Sequence, residues 1–396
     1  MKSSIASSEG KKRNMPCSRR KSPRPPSVSP PTNIKIGEEM KAPITMTLQQ
    51  FASGMESIPV TTSWYLTDIS EAKGKQELYQ KQSPQRLKTL KEHALIESAV
   101  SSNRIEGVEV DRQRIGTIIF GKSILHDRSE EEIRGYREAL NLIHDQGKRL
   151  PITENTCLLL HRLIRGDIWD AGCYKEKDSH IIEKKVDGTS DIRFRTVAAV
   201  ETLRFMESLI DCWHESVKEA KVPPPILMAA FNLDFLCIHP FRDGNGRVSR
   251  LLMLLQCYHQ GIEVGRYISL ERLIEQNKER YYETLKASSQ GWHEGRHNPW
   301  HYINFTCFII KSAYKEFEDR LGRLPQPRGE KTVLVLKAIE KFPGKFSVSD
   351  LQDTCPGVGI DMIRKVLKDL QTQGVVGCLG RGRDAKWHKI SGPSIR

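Results

Sequence analysis

His239-Pro240-Phe241-Arg242-Asp243-Gly244-Asn245-Gly246-Arg247-Val248-Ser249-Arg250 is the stretch on which the reading of this chain turns. It lies between two apolar segments, residues 226–238 and 248–260, and so joins two helices expected to be buried. Gly244 and Gly246 let the backbone approach a ligand and take turn conformations closed to other residues. A helix starting near Asn245 points its unpaired N–H groups and positive dipole end into that turn, which makes an anion site suited to phosphates. Arg247 and Arg250 are three apart, on one face of the first helical turns, and guanidinium offers outer phosphate oxygens bidentate contacts. Arg242 adjoins the same cradle. Asp243 has the hard oxygen that Mg²⁺ prefers when it also bridges phosphates. His239, with an ordinary pKa near ~6.5, is the side chain best able to accept a hydroxyl proton at neutral pH. Phe241 is expected to anchor the loop in the core. These parts, in this order, suit gripping a nucleoside polyphosphate and its metal while a base activates an incoming hydroxyl.

Outward from the loop the chain reads as mostly helical. Ser83-Pro84 gives an N-cap followed by proline at the first helical position, and the helix behind it carries Leu87, Leu90 and Ala94 on one face and runs on through Ile96 and Val100 to Gly107. Residues 65–80 read as helical in part; further helices are expected at 130–145, 153–165, 197–214, 269–288 and 300–321. Residues 174–195 differ: Ser179-His180-Ile181-Ile182, the Asp187-Gly188 turn and residues 192–194 read as a β-hairpin.

Composition bounds the rest. The chain has 396 residues, 38% hydrophobic and 28% charged, so two or three soluble globular domains are expected. Its longest apolar stretch, 226–238, is interrupted by Asn232 and Asp234 and falls well short of the ~20 residues that span a bilayer. No secretory h-region opens the chain, and nine cysteines lack CxxC or zinc spacing, which points to reduced core thiols and a cytoplasmic protein. The net charge of +13 invites a nucleic-acid reading, but ten Lys/Arg against three Glu fall within residues 1–46, a Ser/Pro-rich tail expected to be disordered.

With every fixed position matched, the twelve residues resemble the signature of the Fic (Fido) family, HPFx[DE]GNGRxxR. The resemblance implies a mainly α, Fic/Fido helical core with a β-hairpin flap, and transfer of AMP from ATP to a Ser, Thr or Tyr hydroxyl of a target protein. It makes His239 the general base and Asp243 the Mg²⁺ holder. Gly244, Asn245 and Gly246 become the α/β-phosphate cradle, and Arg247 and Arg250 the outer phosphate ligands. Ser102-Asn103-Arg104-Ile105-Glu106-Gly107 resembles the family's inhibitory motif [ST]xxxE[GN], with Ser102 and Glu106 sharing a helix face and Glu106 salt-bridging Arg250. The hairpin, through Ser179, His180, Ile181 and Ile182, resembles the flap that holds a target segment in extended form. Tyr281 and Tyr282 fall where the family places aromatic residues near the adenine; helix packing is the other reading of that pair. Where flap homologues carry arginine after Gly-x-Tyr, this chain has Lys175.

Leu324-Pro325-Gln326-Pro327-Arg328-Gly329 reads as a linker. Beyond it, helices at 331–342, 348–354 and 360–373 and strands at 375–379 and 386–390 around a 380–384 turn give winged-helix topology. Ile360, Ile363, Leu367 and Leu370 form its apolar stripe; Arg364, Lys365 and Lys368, with Arg381 and Arg383 on the wing, face DNA or a protein partner. The expected organisation is tail 1–46, inhibitory helical region 47–112, catalytic core 113–321, linker 322–330 and winged helix 331–392. The leading expectation is a self-inhibited adenylyltransferase using Mg-ATP, with a homodimer possible. Set against it are a same-fold enzyme that removes AMP or uses another donor such as UTP or CDP-choline, and a nucleotide-sensing DNA-binding regulator.

Overall fold

The computed structural model describes residues 45–54, 57–82, 84–111, 114–115, 118, 125, 127–184, 189–323, 330–342, 344–355, 358–380 and 385–390. These fall into two compact units divided between Gly322 and Arg323. The basic tail up to residue 44, the 324–329 linker, the Asp187-Gly188 turn, and Arg381 and Arg383 lie outside the described residues. None of the described helices is long and apolar enough to cross a membrane.

The first unit is built around α7 (Pro224–Ile238), apolar on all sides and buried from Pro225 to Ile238. A helix with no polar face is stable only when neighbours cover it completely. Here the cover is α1 (Thr47–Ser53), α6 (Thr202–Glu219), α8 (Asn245–His259) and α10 (Lys278–Ser289). Proline at its first helical turn starts α7, where no N–H is missed. Its one carboxylate, Asp234, accepts hydrogen bonds from the Thr47 and Leu48 amides, both at 2.8 Å, and from Trp292 Nε1 at 2.7 Å. Asp234 therefore caps α1 from 186 residues away in sequence. Met46, assigned from sequence to the disordered tail, is buried in this core at 1% exposure.

Around that centre pack α2 (Val60–Gln82), α3 (Pro84–Ile105), α4 (Arg128–Gln146), α5 (Glu154–Arg165), α9 (Leu270–Gln276) and α11 (Trp300–Arg323). Side-chain caps set three of the starts: Asp127 accepts from the Glu130 amide at 2.9 Å, Thr153 from the Thr156 amide at 3.3 Å and Ser269 from the Arg272 amide at 3.0 Å. The helix expected at 269–288 is two helices. Asn277 leaves helical geometry at φ −121°, ψ 33°, and its Nδ2 donates to the Leu273 carbonyl, ending α9 before α10 begins. The hairpin is β1 (Ile181–Lys184) against β2 (Ser190–Phe194), antiparallel. Ser179 and His180, expected in its first strand, precede it.

In the second unit, α12 (Glu330–Lys341), α13 (Val348–Thr354) and α14 (Ile360–Thr372) pack with a three-stranded antiparallel sheet. Its strands are β3 (Phe346–Ser347), β4 (Val376–Leu379) and β5 (Lys386–Lys389), in the order β3-β5-β4. The short β3 was not read from sequence; two residues give no alternation to detect. Ser347 and Asp350 form a capping box that starts α13. Ile363, Val366, Leu367 and Leu370 are the buried stripe of α14. Ile360, expected in it, lies at the helix start and is 36% exposed.

Candidate functional site

His239 is the residue after α7 and adopts φ 53°, ψ 60°. Among the described residues it shares positive φ with one other non-glycine, Ala220. Such a backbone is disfavoured for a side chain with a Cβ and persists only where surroundings hold it. Several bonds do so. The His239 amide donates to the Phe235 carbonyl at 2.9 Å, the Phe241 amide to Asn245 Oδ1 at 2.9 Å, and Asn245 Nδ2 to the Phe241 carbonyl at 2.7 Å. Asn245 thus braces the loop with both ends of its amide. Gly244 opens α8 at φ 84°.

The ring of His239 has Nδ1 3.3 Å from the Leu236 carbonyl, which can only accept, so Nδ1 carries the hydrogen and Nε2 is left as the base. Burial and the nearby Lys175 cation push its pKa down to about 4. The imidazole is therefore neutral at pH 7, but less basic than its ordinary value suggests.

Arg250 is 2% exposed and holds three hydrogen bonds: Nε to Ser102 Oγ at 2.9 Å, Nη2 to the Ser102 carbonyl at 3.0 Å, and Nη2 to Glu106 Oε1 at 2.8 Å. Burial alone would lower its pKa, but Glu106, Tyr281 and Tyr136 hold it above the ordinary range. Glu106 lies one residue past α3, in a turn closed by its amide on the Asn103 carbonyl at 3.1 Å, so it is carried by the helix end rather than by a helix face. The same carboxylate lies against Gly246, where any Cβ would collide with Oε1. A side chain at 246 would therefore push the Glu106 carboxylate away from the α8 N-terminus. Tyr282 Oη donates to the Ile105 carbonyl at 3.2 Å and fixes the end of α3.

Arg247, also 2% exposed, is not turned to an open face. Nη1 donates to Glu132 Oε2 at 2.7 Å and to Asn103 Oδ1 at 3.2 Å. Glu132 also pairs with Arg165 at 3.3 Å and Arg128 at 3.1 Å. Asp243 meets Arg165 Nη1 at 2.5 Å, Arg247 at 3.6 Å and the Gly244 amide at 2.6 Å. Burial would raise its pKa, yet Arg247, Arg165, the Gly244 amide and Arg128 lower it. Beneath the loop His161 stacks on Phe241 at 3.8 Å. Its Nδ1 accepts from the Gly172 amide at 2.9 Å, which leaves Nε2 as donor to the Asp243 carbonyl at 3.0 Å. Arg242 is exposed and stacks over Trp169 at 5.3 Å.

A cavity of about 310 Å³ joins these parts to the hairpin. Its lining includes His239, Glu106, Gly246, Tyr281 and Tyr282 together with Ile181, Ile182, Arg193 and Phe194 of the hairpin. Ile181 pairs with Phe194 and Ile182 with Ile192, so Arg193 is the extra residue of a β-bulge. A bulge breaks the alternation of faces in its own strand, which explains why the consecutive β2 residues Arg193 and Phe194 both line the cavity. Tyr281 is buried and its ring lies 5.2 Å from that of Tyr282.

Among the described residues no group of three or more His, Cys, Asp or Glu is arranged to hold a metal. Asp243, a single carboxylate 54% exposed beside the cradle, fits an ion that arrives with phosphates, since Mg²⁺ needs only one or two carboxylates there.

Sequence reasoning missed Glu132, Arg165, His161 and Arg193, and it noted Lys175 only as a departure. Their roles depend on segments that fold over the loop, and no spacing within the motif reports them.

Residues 151–257 match the Fic/DOC family model. The protein adenylyltransferase Fic of Drosophila willistoni is 26% identical over 214 residues, 52% of this chain and 39% of that protein. Its counterpart in Nematostella vectensis is 28% identical over 203 residues, 48% of this chain and 42% of that protein. The chain spans about two fifths of the length of these curated relatives. Among solved structures, a Fic family protein from Desulfovibrio desulfuricans G20 superposes with a TM-score of 0.56 at 20% identity, covering 86% of this chain and 98% of that one. C. elegans Fic-1 gives 0.53 at 17% identity, with 66% and 72% covered. Both show the fold.

Proposed function

We propose that this chain, whose residues 151–257 form a Fic/DOC-family domain, transfers AMP from Mg-ATP to a Ser, Thr or Tyr hydroxyl of a target protein, and that Glu106 holds it at rest. The observation that carries this reading is the meeting of His239, Gly246 and Glu106 on one cavity with residues of the hairpin, while Glu106 is ion-paired to Arg250 at 2.8 Å.

In this reading the target segment lies extended along the hairpin, where main-chain pairing positions a hydroxyl with little demand on the flanking side chains. His239 Nε2 takes the hydroxyl proton as the oxygen forms its bond to the α-phosphorus. The bond from that phosphorus to the bridging oxygen breaks and pyrophosphate leaves. Anionic phosphates beside the imidazole favour its protonated form and raise its pKa toward neutrality, which offsets the effect of burial. The α8 N-terminus and Arg250 receive the phosphates. Asp243 would hold Mg²⁺, which when bound neutralises phosphate charge. Glu106 inhibits by occupying Arg250 and the face of Gly246 together, so nucleotide must displace a carboxylate to align.

Intact-mass spectrometry of the wild-type protein and Glu106→Gly after incubation with Mg-ATP, alone and with lysate proteins, tests the proposal. The variant is expected to transfer label from α-labelled ATP faster than wild type. No transfer by the variant to itself or to lysate proteins, or transfer from UTP or CDP-choline in preference to ATP, overturns it.

A further inference from the structure

Lys175 is 5% exposed, an expensive place for an amine. Its backbone N–H donates to the Pro240 carbonyl at 2.9 Å, and Nζ donates to the Ile238 carbonyl at 3.1 Å. One residue therefore grips both carbonyls that flank His239, the position with the disfavoured backbone. Nζ also donates to Thr196 Oγ1 at 2.9 Å, and Thr196 Oγ1 donates to the Ser179 carbonyl at 2.7 Å. Ser179 and Thr196 are the two stems of the hairpin, on either side of β1 and β2. A continuous relay thus runs from the stems through Thr196 and Lys175 to the peptide that carries His239.

We infer that Lys175 is a positioning residue, which locks His239 in its left-handed pose and couples it to the hairpin on which an acceptor docks. The inference rests on the reading of His239 as the base. A hydrophobic residue at 175 would fill the space but leave the Ile238 carbonyl buried without its donor. The amine also sets the charge beside the imidazole. His239 is faced by the Lys175 cation and by two anions, Glu106 from the end of α3 and Asp243 from its own loop. Lys175 is in turn faced by Asp178, and burial brings its own pKa down to about 8. Lysine at this point makes the relay sensitive to mildly alkaline pH in a way that arginine would not.

The experiment uses the full chain with ¹³C/¹⁵N-labelled histidine, His239 resonances being assigned by their loss in His239→Gln. It needs no turnover, so it fails or succeeds independently of the AMP-transfer reading. Lys175→Met is expected to move the His239 titration upward by on the order of one unit. It should also raise amide exchange in residues 190–194 by roughly tenfold, the loss of about one hydrogen bond. Lys175→Arg is expected to restore both. Thr196→Val cuts the relay and keeps the cation, so it should raise exchange in the same strand and leave the His239 titration in place. It remains informative if Lys175→Met does not fold. Unchanged His239 titration in Lys175→Met, or unchanged strand exchange in Thr196→Val, overturns the inference.

Discussion

Replacing Glu106 by alanine should destabilise the resting protein and tighten its grip on nucleotide by the same amount. Of the three hydrogen bonds that hold the Arg250 guanidinium, two go to Ser102 and survive; the third, to Glu106 Oε1, is lost. A hydrogen bond to a charged group contributes about 1.5–3 kcal/mol. Glu106 is 32% exposed while Arg250 is 2% exposed, so solvent screening brings the figure to ~1–2 kcal/mol. For a unit of this size that lowers Tm by roughly 2–8 °C. Nucleotide that needs Arg250 must break the same bond in the wild type, so its removal should strengthen binding by about 5- to 30-fold. Calorimetric unfolding of the nucleotide-free protein gives the first number. Isothermal titration with a non-hydrolysable ATP analogue gives the second. A lower Tm with unchanged Kd would show that Arg250 does not meet the nucleotide. A tighter Kd with unchanged Tm would show that the pair contributes nothing at rest, and either result refutes the latch.

Other outcomes follow from the same geometry. His239→Ala in the Glu106→Gly background should cut AMP transfer by about 10²–10⁴-fold while leaving ATP affinity unchanged, as expected for loss of a base; radiolabel transfer and titration read the two separately. Glu132→Gln takes from buried Arg247 its nearer counter-ion and leaves only Asp243 at 3.6 Å, a cost of about 3 kcal/mol, which thermal unfolding should register as a fall in Tm on the order of 10 °C. Burial lowers His161, His239 and His297 to about 4 and His144 to about 3, so between pH 4 and 6.5 the folded chain binds fewer protons than the unfolded one. Their stabilisation, about 3 kcal/mol for each residue held near 4, is complete above pH 6.5 and lost as pH falls through that window. Asp234, raised to about 6 by burial, and Glu154, also raised by burial, act in the opposite sense. Tm should therefore climb from pH 4 to 6.5, and a flat profile would contradict the burial of these imidazoles.

Helices were legible where the rules are local. Proline at the start of α7, Thr153 ahead of α5, and apolar residues at helical spacing all act within a few residues, so α3, α5, α7, α8 and α11 appear close to where they were expected. The split at Asn277 and the short β3 escaped because one side chain bonding its own backbone, or two residues borrowed by a sheet, leaves no periodic trace. The pairing of Glu106 with Arg250 was legible for a different reason. Both residues belong to motifs whose resemblance to a known family carried their relation across 144 positions.

By itself the sequence determined the local geometry on which the proposed chemistry of the loop rests. Gly244 and Gly246, the helix that follows them, and the order of His239, Asp243, Arg247 and Arg250 read as an anion cradle beside a base, because turn conformation and helix polarity are local properties. Only the tertiary structure decided which of those charges are committed and how basic the base is. Glu132, 115 residues before Arg247, claims that arginine. Arg165 claims Asp243, Asn245 braces its own loop, and Lys175 with burial lowers the imidazole to about 4. Electrostatics in a low-dielectric interior depends on what packs nearby, and those neighbours come from segments far apart in the chain.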